Sequence, residues 1–231
     1  MLPYLPETVA EAIAALLDQA AAERGFATLA IPGGRSPGPV LTALARILSP
    51  FVRERLHLLW LDERAVPLGN ADRNDAPTLA AWQAGGPLPA FVHAMPAEAD
   101  DLEGAAERYA ATLRAATHGG PLDVCLIGIG EDGHLASLFP QHAGLSEIAP
   151  VFAVSDSPKP PARRLTMGLA PLTEAGALLI LALGAAKGDV ARRAWAGASR
   201  DLPVSLLPKA KTIWYLDDAA AATARAGTRA L

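Results

Sequence analysis

Apolar positions along the chain fall into two rhythms, short uninterrupted runs and longer segments with helical spacing, and the two alternate. Helical spacing predicts helices over Glu7–Glu23, Pro39–Leu48 and Leu102–Ala116. Continuous apolar runs predict strands at Thr28–Ile31, Leu56–Leu61, Asp123–Ile129, Ala177–Leu183 and Thr212–Leu216, with a further strand-like segment opening at Arg163–Thr166. Strands apolar on both faces and separated by helix-length segments imply an α/β fold. They predict a mostly parallel, twisted, Rossmann-like sheet with helices on both faces, whose ligands bind at the carboxyl ends of the strands. One domain over residues 1–231 is expected, with an alanine-rich tail from Ala219 to Leu231 that frays.

Polar chemistry collects at those strand ends. The stretch Gly128–Pro140, GIGEDGHLASLFP, follows a buried strand and sets His134 and Asp132 among three glycines. A histidine, with an unperturbed pKa of about 6.5, can take a proton from water and return it near neutral pH, and Asp132 is placed to orient its ring. A satisfied loop histidine beside a turn aspartate would carry the same letters. Gly128, Gly130 and Gly133 also spell G-x-G-x-x-G, the dinucleotide fingerprint, but Pro140 cuts short any helix and no later strand ends in a carboxylate at the required distance. After the first strand, Gly33, Gly34, Arg35 and Ser36 form a candidate anion cradle ahead of a helix, although a plain helix-capping turn reads the same way. After the second come Asp62 and Arg64, a carboxylate able to accept sugar hydroxyls and a guanidinium able to polarise a carbonyl, and then a polar loop over Gly69–Asp75. Arg164 and Lys187, the latter in Gly184–Lys187 at a helix start, place two more cations at strand-to-helix junctions.

Composition narrows the classes. The 231 residues are 51% hydrophobic and 19% charged, with a net charge of −4, and the arginines are scattered, so no electrostatic footprint for nucleic acid exists. Cys125 is the only cysteine and lies in a predicted buried strand, which excludes a disulfide framework and fits a reducing cytoplasm. The segment MLPYLPETVAEAI lacks a secretory pattern, and no apolar run of membrane-spanning length occurs. Neither secretion nor membrane insertion is expected.

Taken in order, GGRSP, LDER, GIGEDGHLASLFP and GAAK resemble the 6-phosphogluconolactonase family of the glucosamine-6-phosphate isomerase/deaminase superfamily, over nearly the whole chain. The resemblance implies cytoplasmic hydrolysis of 6-phospho-D-glucono-1,5-lactone to 6-phosphogluconate in the oxidative pentose phosphate pathway. It makes His134 the general base and Asp132 its orienting partner, with Asp62 and Arg64 in the pocket wall. Arg64 or backbone N–H groups of the glycine loop would stabilise the oxyanion. The 6-phosphate would rest on Gly33–Ser36, with Arg164 and Lys187 as charged partners and Arg35 close by. No cofactor or metal is implied, since a δ-lactone is an activated ester, and a monomer or weak homodimer is expected. Two positions depart from the family's pattern. Pro32 stands where Ser or Thr is common, and Arg73 where serine is usual.

Two other functions share these features. The deaminase branch keeps the phosphate loop and the DGH triplet but places a carboxylate before the proline, where this chain has Phe139. A non-catalytic sugar-phosphate effector domain would need a DNA-binding segment, and only one helix precedes the first strand.

Overall fold

The computed structural model describes residues 1–226. In chain order the elements are β1 (Leu2–Pro3), α1 (Pro6–Arg24), β2 (Ala27–Ile31), α2 (Gly38–Ile47), α3 (Pro50–Arg53), β3 (Leu56–Trp60), β4 (Asp62–Arg64), α4 (Asp75–Gln83) and β5 (Phe91–His93). The second half continues with α5 (Leu102–Ala116), β6 (Val124–Gly128), β7 (Val151–Val154), β8 (Arg164–Met167), α6 (Leu169–Glu174), β9 (Ala177–Ala182), α7 (Ala185–Ala196), β10 (Thr212–Leu216) and α8 (Asp218–Ala226).

Seven strands form one sheet in the order β1-β10-β9-β6-β2-β3-β5, and every pairing in it is parallel. Every residue of β2 and β9 is buried, as strands covered on both faces require. Helix α2 packs against both α1 and α4, and α7 packs on α8. The ends of α1 have local causes. Pro6 sits in the first turn of α1, and Gly25, in the left-handed region at φ 79°, ends it by returning its N–H to Ala21 O.

From β2 the chain builds outward through β3 and β5, then crosses to the other side of β2 to lay down β6, β9 and β10. The order therefore reverses between β2 and β6, and a crevice opens above their carboxyl ends. Register at this junction is pinned at the opposite end. Asp123 Oδ2 accepts from the Thr28 N–H and hydroxyl, Thr28 Oγ1 accepts from the Asp123 N–H, and Arg24 pairs with the same carboxylate. That exchange stops β6 one residue short of the expected start at Asp123.

A second, three-stranded antiparallel sheet, β4-β8-β7, stands beside the first. Only β8 has a counterpart in the sequence pattern, shifted to Arg164–Met167. The others are three or four residues long and too short to show a period. Part of the tail expected to fray forms α8, whose Ala220 packs so closely on α7 that a Cβ on Gly188 would stand 2.1 Å from Ala220 O. The rest of that tail, 227–231, lies outside the described residues. No helix among the described residues is long and apolar enough to cross a membrane.

Candidate active site

The loops after β2, β3 and β6 and the start of β8 converge on a cavity of about 190 Å³ above the switch point. It is walled by Gly33, Gly34, Arg35, Ser36, Asp62, Arg64, Asn74, His134 and Arg164. A hollow of similar size, about 180 Å³, at the other end of the sheet is lined mainly by apolar residues such as Leu113, Leu122 and Pro171. The polar cavity is the one that carries chemistry.

After β6 the backbone folds into a tight turn, with Gly130 N–H donating to His134 O (2.8 Å) and Gly133 N–H to Gly130 O (3.1 Å). His134 Nδ1 meets Asp132 Oδ1 at 2.5 Å, and the Lys159 ammonium lies 2.9 Å from Asp132 Oδ2. An ionised carboxylate only accepts, so Nδ1 carries the hydrogen and Nε2 holds a free lone pair. Burial raises the Asp132 pKa, but hydrogen bonds from Lys159 and His134 outweigh it and hold the carboxyl well below the usual range. For His134 burial is the largest influence and lowers the pKa; Asp132 opposes it and Lys159 adds to it, leaving the ring neutral at pH 7. Gly130 makes the pair possible, since a Cβ there would stand 2.0 Å from His134 Nδ1 and 2.2 Å from Asp132 Oδ1. Phe139, buried, packs its ring 4.9 Å from the imidazole.

Asp62 is fixed from two sides, by Ser137 Oγ donating to Oδ2 (2.7 Å) and Asn74 Nδ2 donating to Oδ1 (3.2 Å). Asn74 in turn lies so close to the β2 loop that a Cβ on Gly33 would fall 1.8 Å from its Oδ1. Its backbone is held by Glu63, which is wholly buried and accepts from the N–H groups of Arg64, Asn74 and Asp75 at 2.7, 2.7 and 2.9 Å. Burial raises the Glu63 pKa, against the bonds from Asn74 and Arg64 and the Arg73 charge, while the Asp75 charge adds to the rise. Arg64 donates one bond to Asp72 O (3.1 Å), and its Nε is buried with no partner among the described residues. Arg35 and Ser36 are exposed at the mouth, and neither side chain has a partner among the described residues.

The structure thus gathers Gly33, Gly34, Arg35, Ser36, Asp62, Arg64, His134 and Arg164 around one cavity, with Asp132 directly behind His134. Two assignments change. Lys187 does not line the cavity; its Nζ donates to Ile129 O at 2.5 Å, one step behind the wall. Arg164, expected as a charged partner of the phosphate, donates to Pro161 O, Lys159 O, Pro160 O and Ser137 Oγ, which engages four of its five N–H groups. Arg73 makes no contact in the cavity and is buried among Glu63, Asp75 and Glu98. The sequence reading missed Ser137, Lys159, Glu63 and the anchoring role of Asn74, all defined by contacts between distant segments. For Ser137 its place inside the most specific motif was a usable signal.

Residues 4–214 match the family described as glucosamine-6-phosphate isomerases/6-phosphogluconolactonase. A 6-phosphogluconolactonase of Streptomyces coelicolor is 38% identical over 93% of this chain and 90% of its own. The chain belongs to the 6-phosphogluconolactonase family. A Mycobacterium leprae 6-phosphogluconolactonase is 35% identical over 91% of this chain and 90% of its own. The crystal structure of the Thermotoga maritima 6-phosphogluconolactonase superposes with a TM-score of 0.83 at 26% identity, covering 94% of this chain and 97% of the other. A monomeric glucosamine-6-phosphate deaminase superposes with a TM-score of 0.77 at 22% identity, covering 96% of this chain and 98% of the other. That likeness concerns the fold alone. Family membership also places the chain in the mostly parallel α/β architecture that its periodicity predicts.

Proposed function

We propose that this chain hydrolyses 6-phospho-D-glucono-1,5-lactone to 6-phosphogluconate in this cavity, as one 6-phosphogluconolactonase domain, with His134 as the general base. The observation that carries the reading is the Asp132–His134 pair, which leaves a neutral imidazole with Nε2 free beside a cavity walled by cations. Nε2 takes a proton from water as the water oxygen attacks C1, and negative charge develops on the carbonyl oxygen. Arg64, on the cavity wall, or the glycine-loop N–H groups offset that charge. Collapse of the tetrahedral intermediate breaks the bond between C1 and the ring oxygen, which takes the proton held by His134.

The exposed Gly33–Ser36 loop suits the 6-phosphate, because Arg35 and Ser36 have unengaged donors there. Arg164 adds its one remaining N–H. Lys187 reaches the phosphate only by leaving Ile129 O. Asp62, held with both oxygens oriented, accepts from sugar hydroxyls.

Phe139 argues against deamination, since an apolar ring against His134 cannot relay a proton. The chemistry needs only this chain and its sugar-phosphate substrate, as a monomer or weak homodimer in the cytoplasm. The test is the rate of 6-phosphogluconate formation from freshly generated lactone, coupled to a dehydrogenase and compared with spontaneous opening. Acceleration that His134→Ala abolishes supports the reading. No acceleration by the native chain, or full acceleration by His134→Ala, would overturn it.

A further inference from the structure

Asp132 alone would create a problem for the base it orients, because a carboxylate at 2.5 Å draws a proton onto the imidazole. The loop between β7 and β8 supplies the remedy. We propose that Lys159 is a positioning residue for the general base: its ammonium takes Asp132 Oδ2, leaves Oδ1 to His134 Nδ1, and offsets the carboxylate charge so that Nε2 stays unprotonated. This rests on the reading of His134 as the base.

The geometry is a three-membered cluster. Lys159 Nζ stands 2.9 Å from Asp132 Oδ2 and 3.1 Å from His134 Nδ1. An ammonium has no lone pair and Nδ1 already donates to Asp132, so the 3.1 Å approach is not a hydrogen bond. It sets a positive charge beside the atom that would share the charge of any proton added at Nε2. The carboxylate rotamer, otherwise broad and two-fold, is fixed by having a donor on each oxygen.

Lys159 is a long side chain with 43% of its surface exposed, yet its base is not loose. Arg164, buried at the cavity wall, donates to Lys159 O (2.8 Å), Pro160 O (3.2 Å) and Pro161 O (3.0 Å). Ser157 Oγ donates to Lys159 O at 2.8 Å and accepts from the Lys159 N–H at 3.2 Å. The bonds that occupy Arg164 are therefore the ones that hold the Lys159 backbone. Five charged groups lie around the imidazole. Asp132 and Asp62 favour its protonated form and Lys159 disfavours it, while Glu131 and Lys187 stand nearby with opposite signs. Arg164 lies on Phe139, with its guanidinium carbon 5.5 Å from the ring centroid.

The test compares Lys159→Met and Lys159→Arg with the parent chain in two measurements. NMR of the histidine ring nitrogens without substrate follows the His134 titration, and kcat and KM are measured across pH. Losing the ammonium should raise the His134 pKa by about half to one unit, a unit charge at contact but partly screened by solvent. The acidic limb of kcat/KM should rise equally, lowering turnover about three- to tenfold on that limb with KM within about twofold. Lys159→Arg should restore both. An unmoved titration in Lys159→Met would overturn the proposal, as would a large rise in KM with unchanged kcat, which would make Lys159 a substrate ligand. If His134→Ala kept full activity the base assignment would fall, while the ring titration would still decide whether Lys159 acts on His134.

Discussion

Replacing Arg73 by methionine tests whether a buried ion network holds the active-site loop. The Arg73 side chain is 1% exposed and contacts Asp75 at 2.8 Å, Glu98 at 3.0 Å and Glu63 at 3.9 Å. It also donates to Val66 O and Met95 O. Methionine conserves much of the volume, so the loss is electrostatic. Glu98 is 35% exposed and rehydrates, whereas Glu63 is 0% exposed and cannot. Breaking a buried pair costs about 3–5 kcal/mol, and the lower end applies because Glu63 keeps three backbone donors. At about 2–4 °C per kcal/mol for a chain of this size, Tm should fall by roughly 6–12 °C.

The pH dependence gives that prediction a sign. Burial already lifts the folded-state pKa of Glu63 above its ordinary 4.5, and Arg73 is one of the influences pulling it down. Without Arg73 it rises further. A group whose folded pKa exceeds its unfolded value favours the fold below the unfolded pKa and loses that contribution as pH climbs through the folded one. The Tm gap between Arg73→Met and the parent should therefore be wider at pH 8 than at pH 5, measured by circular dichroism. Adding Glu63→Gln should flatten that difference. A gap under about 2 °C at both pH values would refute the reasoning.

Three other outcomes follow from the site. Gly130→Ala drives a Cβ into both His134 and Asp132, so kcat should drop at least about 100-fold, the share usual for general-base catalysis; normal turnover would show that the turn relaxes cheaply. Because burial holds the His134 pKa below 6.5, the acidic limb of kcat/KM should lie below pH 6.5, activity falling as pH drops through it and the base takes a proton. A limb above 6.5 would mean that Asp132 dominates. Lys187→Ala should raise KM with little change in kcat if Lys187 leaves Ile129 O for the phosphate; a fall in kcat alone would give it a role in shaping the loop after β6.

How much of this was legible in the sequence depends on the range of the interactions concerned. The runs that became β2, β3, β6, β9 and β10 declare themselves because a strand buried on both faces must be apolar throughout, and α5 was placed at its observed ends. Helix α4 escaped notice because its cap is not local. Asn74 caps nothing with its side chain, and the free N–H groups of Asn74 and Asp75 are taken by Glu63, 11 and 12 residues away. The charge run Asp62–Arg64 therefore read as pocket wall or solvated loop, while its middle residue is the most buried acid of the site. Ser137 and Lys159 act on Asp62 and Asp132 across 75 and 27 positions, distances at which spacing carries no information.

The glycines after β6 show where pattern and mechanism part. Gly128, Gly130 and Gly133 have the spacing that brings a pyrophosphate against a backbone, and they stand at the switch point where such a ligand would bind. Their physics is different here. The second glycine clears space for the Asp132–His134 pair, and the third takes φ 78° with Leu202 Cδ1 only 2.4 Å from where its Cβ would lie. No helix follows, since Leu135 bridges back to Ile129 and on to Leu138, so no aligned helical N–H groups meet an anion at this loop. Topology decides where a ligand sits, and under the proposed function this turn presents it with a base. Under the proposed function the anion falls to the neighbouring loop after β2, where Gly33 is bare because Asn74 occupies the space of its missing side chain. In each loop the glycine makes room for a neighbouring side chain, which is why the same spacing suits the proposed water activation here and cofactor binding elsewhere.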